Sequence, residues 1–95
     1  MSPTPLPDPT IEHELAALPG WRREAGEIVR TFDRGNFVGS IGFVNAIAAA
    51  ANAADHHPDL LISWNEVTVR LSSHDAGGIT ERDFELSRTI DGLAT

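Results

Sequence analysis

Alternation of apolar and polar residues between Val67 and Leu71 constrains the fold of this chain most strongly. Successive side chains of a strand point to opposite faces, so this segment is predicted to be a strand with one apolar face. The run from Leu60 to Trp64 precedes it, and the pair Asn65-Glu66 predicts a turn between the two. Together they predict an antiparallel hairpin whose apolar face must be covered by another layer.

The rest of the chain predicts a second hairpin and three helices. The strands of that hairpin run from Trp21 to Phe32 and are joined across Ala25-Gly26. Asp8, Asn36 and Thr80 can each begin a helix. The expected core-facing residues are Ile11, Leu15 and Leu18 in the first helix, Phe37, Ile41, Val44, Ile47 and Ala51 in the second, and Phe84, Ile90 and Leu93 in the third. The order α-β-β-α-β-β-α indicates an α+β fold, with a four-stranded antiparallel sheet and helices packed on one face.

Length and composition narrow the classes of function. The 95 residues fit one domain, predicted over residues 8–95 after a disordered, proline-rich tail over residues 1–7. The formal net charge is -7 and no basic patch is visible, so we expect no nucleic-acid partner. Cysteine is absent, which excludes disulfides and thiolate catalysis and fits a cytoplasmic location. The N-terminus does not read as a secretory signal, and the apolar run from Ala46 to Ala51 is too short to span a bilayer, so no membrane partner is expected.

Three of the four histidines fall in one short region. His56 and His57 are adjacent and precede the second hairpin, and His74 follows it. Because a hairpin brings its two outer ends together, we expect His74 to lie near the corner formed by His56 and His57. An imidazole group, with an ordinary pKa of about 6.5, can both give and accept a proton near neutral pH. The cluster therefore predicts a proton-transfer site.

Four interpretations of this cluster are open. Each histidine could instead satisfy backbone groups at the end of an element. Three histidines could bind zinc, but adjacent residues of extended chain point in opposite directions and no His-x-His or His-x-x-x-His spacing is present, so we expect no metal. Ser72 or Ser73 could act as a nucleophile, but no strand-turn-helix elbow holds either of them. General acid–base chemistry without a metal or cofactor suits the histidines best.

The same residues carry a resemblance to a known family. The order Asp55-His56-His57-Pro58, five residues, Trp64, nine residues, His74, eight residues and Asp83 resembles the signature of pterin-4a-carbinolamine dehydratase. Gly20-Trp21, Phe37, Trp64-Asn65, Leu71-Ser72-Ser73-His74 and Thr80-Glu81-Arg82-Asp83 extend it over Leu18 to Leu93. One departure is Asn52, which stands where the family usually has a charged residue. An amide can hydrogen-bond a ring nitrogen but cannot stabilise an imidazolium by charge.

The resemblance implies a reaction and a set of site residues. The reaction is loss of water from 4a-hydroxytetrahydropterin to give quinonoid dihydropterin, as in tetrahydrobiopterin recycling, without a cofactor. His56, His57 and His74 would surround the reacting carbon, with His57 and His74 as the principal acid–base groups. The positions that would line the pterin are Asp55, Ser72, Ser73 and Asp75.

Asp83 belongs to the signature but also has a structural interpretation. Thr80-x-x-Asp83 resembles a capping box, in which the carboxylate accepts a hydrogen bond from the cap N–H. We expect this structural role to dominate over a catalytic one.

The resemblance implies a second hypothesis, because some members of that family act as small dimerising partners of other proteins, including transcription factors and assembly clients. We further expect a homodimer or homotetramer. Strand edges such as Val67 to Leu71 would be exposed unless paired, and Trp64, like Trp21, is expected in the core or at an interface.

Overall fold

Seven main elements follow one another in the predicted order α-β-β-α-β-β-α across residues 4–95, the part of the chain that this computed structural model describes. They are α1 (Asp8–Ala16), β1 (Arg22–Glu24), β2 (Glu27–Asp33), α2 (Phe37–Ala54), β3 (Asp59–Ser63), β4 (Glu66–Leu71) and α3 (Glu81–Leu93). A short 3-10 helix, His74–Ala76, lies between β4 and α3. The four strands form one antiparallel sheet, which confirms the predicted α+β fold.

The strands lie in the order β1-β2-β4-β3, so the two hairpins join through β2 and β4. Ile28 pairs with Leu71 at one end of this junction, and Asp33 pairs with Glu66 at the other. The expectation that Val67 to Leu71 forms an exposed edge is therefore wrong, because β4 has a partner on both sides. The edges are β1 and β3. The junction also places the start of β2 beside the end of β4, where the segment leading to His74 begins.

One predicted hairpin turn is confirmed and the other is displaced by a residue. Glu24 pairs with Glu27 around Ala25-Gly26, as expected. In the second hairpin Ser63 pairs with Glu66, so the turn is Trp64-Asn65 rather than Asn65-Glu66. Trp64 has a positive φ of 53° and its side chain is 73% exposed, so it does not belong to the core.

The core lies between one face of the sheet and the helices. Its largest fully buried side chains include Ile28 of β2, Leu71 of β4, Ile47 of α2, and Phe84 and Ile90 of α3. Trp21 is buried as well, and its indole N–H donates to Asp91 Oδ1 at 2.9 Å. Leu93, which was expected in the core, is 36% exposed.

The buried face of α2 agrees with the predicted one only in part: Ile47 and Ala51 are buried and Val44 packs against the core, as expected. Its buried residues are Ser40, Phe43, Ile47 and Ala51, whereas Phe37 is 53% exposed and Ile41 is also exposed. The helix is apolar nearly all round, so spacing alone did not identify the face that meets the sheet. At 18 residues and a mean hydropathy of 1.5, α2 is also long and apolar enough by composition to cross a membrane. In this fold it packs on the sheet through Phe43 and Ile47.

The ends of α2 position the histidines that follow it. Its N-cap is Asn36, as predicted, whose side chain accepts a hydrogen bond from Gly39 N at 2.7 Å. At the other end Asp55 adopts the left-handed conformation, with φ 49°, and the His56 N–H donates to Ala51 O at 3.1 Å. This cap turns the chain back so that His56 starts the connection to β3.

Part of the N-terminal segment packs against the rest of the domain. Residues 1–3 of the predicted disordered tail lie outside the described residues. Within the remainder, the Leu6 N–H donates to Ile79 O at 2.8 Å, and Leu6 packs against the core. The N-cap of α1 is Pro7 rather than Asp8.

Candidate functional site

His56 and Asp83 form a buried pair at the centre of the candidate site. The His56 Nε2 atom lies 2.6 Å from Asp83 Oδ1, although the two residues are 27 positions apart. His56 is 8% exposed and Asp83 is fully buried. Because a carboxylate only accepts hydrogen bonds, the proton of this bond resides on His56 Nε2, which leaves Nδ1 as the acceptor of the neutral ring.

A directed hydrogen-bond chain holds the other oxygen of Asp83. Asp83 Oδ2 accepts from the Thr80 N–H at 2.9 Å and from the Ser73 hydroxyl at 3.0 Å. The Ser73 oxygen lies 2.7 Å from Thr80 Oγ1, which in turn accepts from the Arg82 N–H at 3.2 Å. Thr80 and Asp83 therefore form the predicted capping box of α3. The bond from Asp83 to His56 is an additional contact that local sequence does not indicate.

His57 is exposed and is paired with the end of α2. Its Nε2 atom lies 3.1 Å from Asn52 Oδ1. With the amide oxygen as acceptor, His57 Nε2 carries the proton and Nδ1 is left as the acceptor of the neutral ring. Asn52, the residue that departs from the family pattern, thus contacts the second histidine of the pair.

His74 begins the 3-10 helix and lines a cavity of about 430 Å³. Its Nε2 atom lies 3.2 Å from the Ser72 hydroxyl oxygen. Ser72 lines the cavity too, and the remaining lining residues come from the turn of the first hairpin, the start of β2 and the segment before α3: Ala25, Gly26, Glu27, Gly77 and Gly78. Glu27 was not predicted as a site residue, because only the pairing of β2 with β4 brings it beside His74.

One cluster near the cavity could hold a metal ion. A ring nitrogen of His74 and carboxylate oxygens of Glu27 and Asp59 all lie within 4.8 Å of one another. One imidazole and two carboxylates are a donor set that divalent transition metals accept. The three residues lie on β2, β3 and the 3-10 helix, so no short sequence spacing could have indicated the cluster.

The structure links several of the predicted site residues through shared contacts. His56 meets Ser73 through Asp83, and His74, the neighbour of Ser73, lies beside Asp59 at the start of β3. The two ends of the second hairpin are therefore adjacent, as predicted. Within residues 4–95, however, no hydrogen bond joins one of the three imidazoles to another.

The predicted pterin-lining residues have different surroundings. Ser72 lines the cavity, whereas the Ser73 hydroxyl is buried against Asp83. Asp55 is exposed at the end of α2. The carboxylate of Asp75 accepts two hydrogen bonds from Arg82, at 2.8 and 2.9 Å, and these bonds lower its pKa.

Comparison with known proteins identifies the family. The model of the family described as pterin 4 alpha carbinolamine dehydratase matches residues 4–93. The chain belongs to this family. The match confirms the resemblance seen in the sequence, and it spans every residue of the candidate site.

Individual relatives of the dehydratase family agree with this match. A protein of Thermosynechococcus vestitus, provisionally named pterin-4-alpha-carbinolamine dehydratase, is 51% identical over 84 residues, which cover 88% of each chain. A protein of the same name from a Roseiflexus species is 48% identical over 90 residues, covering 95% of this chain and 97% of that one.

Solved structures share the fold. A crystal structure described as a transcriptional coactivator/pterin dehydratase from Brucella melitensis has a TM-score of 0.92 and 31% sequence identity, covering 97% of this chain and 100% of that chain. A pterin dehydratase-like protein described as a RuBisCO assembly factor in the alpha-carboxysome has a TM-score of 0.64 and 20% identity, covering 78% of this chain and 86% of that one. At that identity the second likeness concerns the fold alone.

Proposed function

We propose that this protein dehydrates 4a-hydroxytetrahydropterin to quinonoid dihydropterin by general acid–base catalysis. The bond between C4a and its hydroxyl oxygen breaks, and the departing oxygen takes up a proton and leaves as water. The adjacent ring nitrogen loses its proton, and the electron pair of that N–H bond becomes the second bond between nitrogen and C4a. Atoms and electrons balance without an oxidant, reductant or cofactor.

The observation that carries this proposal is the buried bond between His56 and Asp83. A buried carboxylate holds the ring in one orientation and defines which nitrogen carries the proton, which is what a positioned proton-transfer group requires. Membership of a family described as a carbinolamine dehydratase supports the choice of reaction.

In this proposal His57 and His74 exchange protons with the substrate. Both are exposed, and each has one ring nitrogen in a hydrogen bond, to Asn52 and Ser72 respectively. His56, the histidine that Asp83 orients, joins them as the third proton-transfer group through Nδ1, the ring nitrogen that is not bonded to Asp83. Asp55 and Ser72 provide polar contacts to the pterin. Because the side chains of Ser73 and Asp75 are already hydrogen-bonded to Asp83 and Arg82, these two residues would contact the pterin through backbone groups or after their present bonds rearrange.

A dehydration assay tests the proposal directly. The 4a-hydroxytetrahydropterin is generated in place by a pterin-dependent hydroxylase, and formation of quinonoid dihydropterin is followed by absorbance. We expect the protein to accelerate dehydration well above the spontaneous rate at neutral pH. A rate equal to that of buffer alone, with correctly folded protein, would refute the dehydratase assignment.

A second candidate function is that of a dimerising or assembly partner. It is favoured by exposed apolar side chains at the start of α2, where Phe37 is 53% and Val38 is 79% exposed. Such a surface is suited to a protein partner or to a second copy of the chain. The substitution Val38→Asp tests it: loss of association with unchanged dehydration would separate the two roles, whereas unchanged association would remove this surface from consideration.

Association into a homodimer or homotetramer and a cytoplasmic role in tetrahydrobiopterin recycling belong to the same proposal. The small size of the domain favours association, and the edge strand β3 carries Leu61, which is 64% exposed, next to the exposed Trp64.

A further inference from the structure

The cavity beside His74 has an acidic wall. It lies between the turn Ala25-Gly26 and the pair Gly77-Gly78. Among the lining residues within 4–95, Glu27 is the one carboxylate, and none is a lysine or arginine. Because Ala25, Gly26, Gly77 and Gly78 carry no polar side chain, the carboxylate of Glu27 is the main charged feature of this lining beside His74.

The charge of Glu27 is only partly compensated. Its nearest cation among the described residues is Arg70, whose Nη1 atom lies 3.7 Å from Glu27 Oε1 and closer, at 3.0 Å, to Glu24 Oε1. The side chain of Glu27 is 24% exposed, so solvent screens it less than a fully exposed group. A second carboxylate, that of Asp59, lies within 4.8 Å of it.

We propose that Glu27 is a specificity-determining residue that makes this site reject pterins with anionic substituents. The preferred ligand is a pterin whose substituent is uncharged, with N–H or O–H groups that a carboxylate can accept. That the ligand is a pterin rests on the function proposed above, whereas the selection against anionic substituents is argued from the charge of the cavity. The carboxylate of Asp59, on β3, adds to the negative electrostatic potential near Glu27.

The expected size of the effect follows from Coulomb's law. A negative unit charge on the ligand, at about 6 Å from a carboxylate, lowers the binding affinity about threefold with the screening of bulk water. The loss of affinity is larger at a protein surface, where the effective dielectric constant is lower. The discrimination should decrease as salt is added, because mobile ions screen partly exposed charges.

Two fluorescent pterins that differ mainly in the charge of one substituent provide the test. We would measure dissociation constants of neutral 6-hydroxymethylpterin and anionic pterin-6-carboxylate by fluorescence, in chelator-containing buffer of low ionic strength. The series is the unaltered protein, Glu27→Gln and Glu27→Lys. The matched control is Glu66→Gln, which removes an exposed carboxylate from the opposite end of the β2–β4 pairing.

We expect the unaltered protein to bind the neutral pterin more tightly. Relative to the neutral pterin, the anionic pterin should bind at least about threefold more tightly to Glu27→Gln than to the unaltered protein, and more tightly still to Glu27→Lys. Glu66→Gln should leave the ratio of the two dissociation constants unchanged. A ratio that Glu27→Gln leaves unaltered, with native circular dichroism, would overturn the inference. A preference of the unaltered protein for the anion, or failure to bind either pterin, would also overturn it.

The dehydration assay is run on the same samples, so the two proposals fail separately. Activity together with a charge-independent ratio would refute only the selection by Glu27. A charge-dependent ratio without dehydration would support that selection and refute the dehydratase assignment. The binding series is repeated in buffer without chelator, before and after zinc addition. If the effect of Glu27→Gln appeared only with zinc present, the cluster with Asp59 and His74 would be a metal site, and the inference would be wrong.

Discussion

Replacing Asp83 should separate the stability of this fold from its proposed chemistry. The carboxylate accepts three hydrogen bonds, from His56, Thr80 and Ser73, and is completely buried. Asp83→Ala would leave three buried donors without an acceptor. Removing one partner of a buried charged network costs about 3–5 kcal/mol, a large part of the roughly 5–15 kcal/mol that stabilises a domain. We expect this variant to unfold far below the melting temperature of the unaltered protein, or to be unfolded at 37 °C.

Asp83→Asn should behave differently, because the amide can be accommodated. Its carbonyl oxygen can take the position of Oδ2 and continue to accept from Thr80 N–H and Ser73. Its NH₂ group then faces His56 Nε2, which must become an acceptor and move its proton to Nδ1. Stability should fall by only about 0.5–1 kcal/mol, the scale of a weakened helix cap. The dehydration rate should nevertheless fall by about 100-fold, because the His56 ring is held in the wrong tautomer. The buried bond to His56 thus changes the expectation from the sequence, in which the capping role of Asp83 dominated.

Thermal melting and the dehydration assay measure the two effects, and nitrogen NMR of the imidazole reports the tautomer of His56. The matched control is Glu81→Gln, which removes an exposed carboxylate from the same first turn of α3, where it pairs with Arg88 at 2.8 Å. An Asp83→Asn protein with a full rate would show that the orientation of His56 is unimportant for dehydration. A stability loss above about 3 kcal/mol would show that the amide is not accommodated.

Four further predictions concern the histidines, metals, assembly and pH. His57→Ala and His74→Ala should each lower the dehydration rate by about 100-fold or more in folded protein, and the double variant should lose less than the product of the two; intact rates in both would make the histidines structural. Chelator-treated protein should keep its activity, because imidazole transfers protons without a Lewis acid; loss of activity that zinc restores would contradict this. Light scattering at micromolar concentration should give the mass of a dimer or tetramer, and a fully active single chain would refute the predicted assembly. The Arg82 hydrogen bonds lower the folded-state pKa of Asp75 from its ordinary value of 3.8. Their contribution to the free energy of unfolding should therefore be complete above about pH 5 and lost as the pH falls through the lowered pKa. If the difference in unfolding free energy between the unaltered protein and Asp75→Asn stayed constant between about pH 2 and 6, this prediction would be wrong.

Local features of the fold could be predicted from the sequence, because they depend on neighbouring residues. Asn36 caps α2 through a bond to Gly39, Thr80 and Asp83 form the capping box of α3, and the first hairpin turns at Ala25-Gly26. The proximity of the two hairpin ends followed in the same way, since an antiparallel pair returns the chain to where it began.

Features that depend on distant residues were decided by the tertiary structure. The apolar surface of α2 offered several similar faces, and only packing on the sheet placed Phe43, rather than Phe37 or Ile41, beside Ile47 on the buried face. The pairing of β2 with β4 made β4 an interior strand and placed Glu27 beside His74, although the two residues are 47 positions apart in the sequence. The bond from Asp83 to His56 likewise exists only because α3 returns to the end of α2. Short-range hydrogen bonding determines turns and caps, whereas the order of strands and the choice of a helix face minimise the exposed apolar surface of the whole chain, which no single segment specifies.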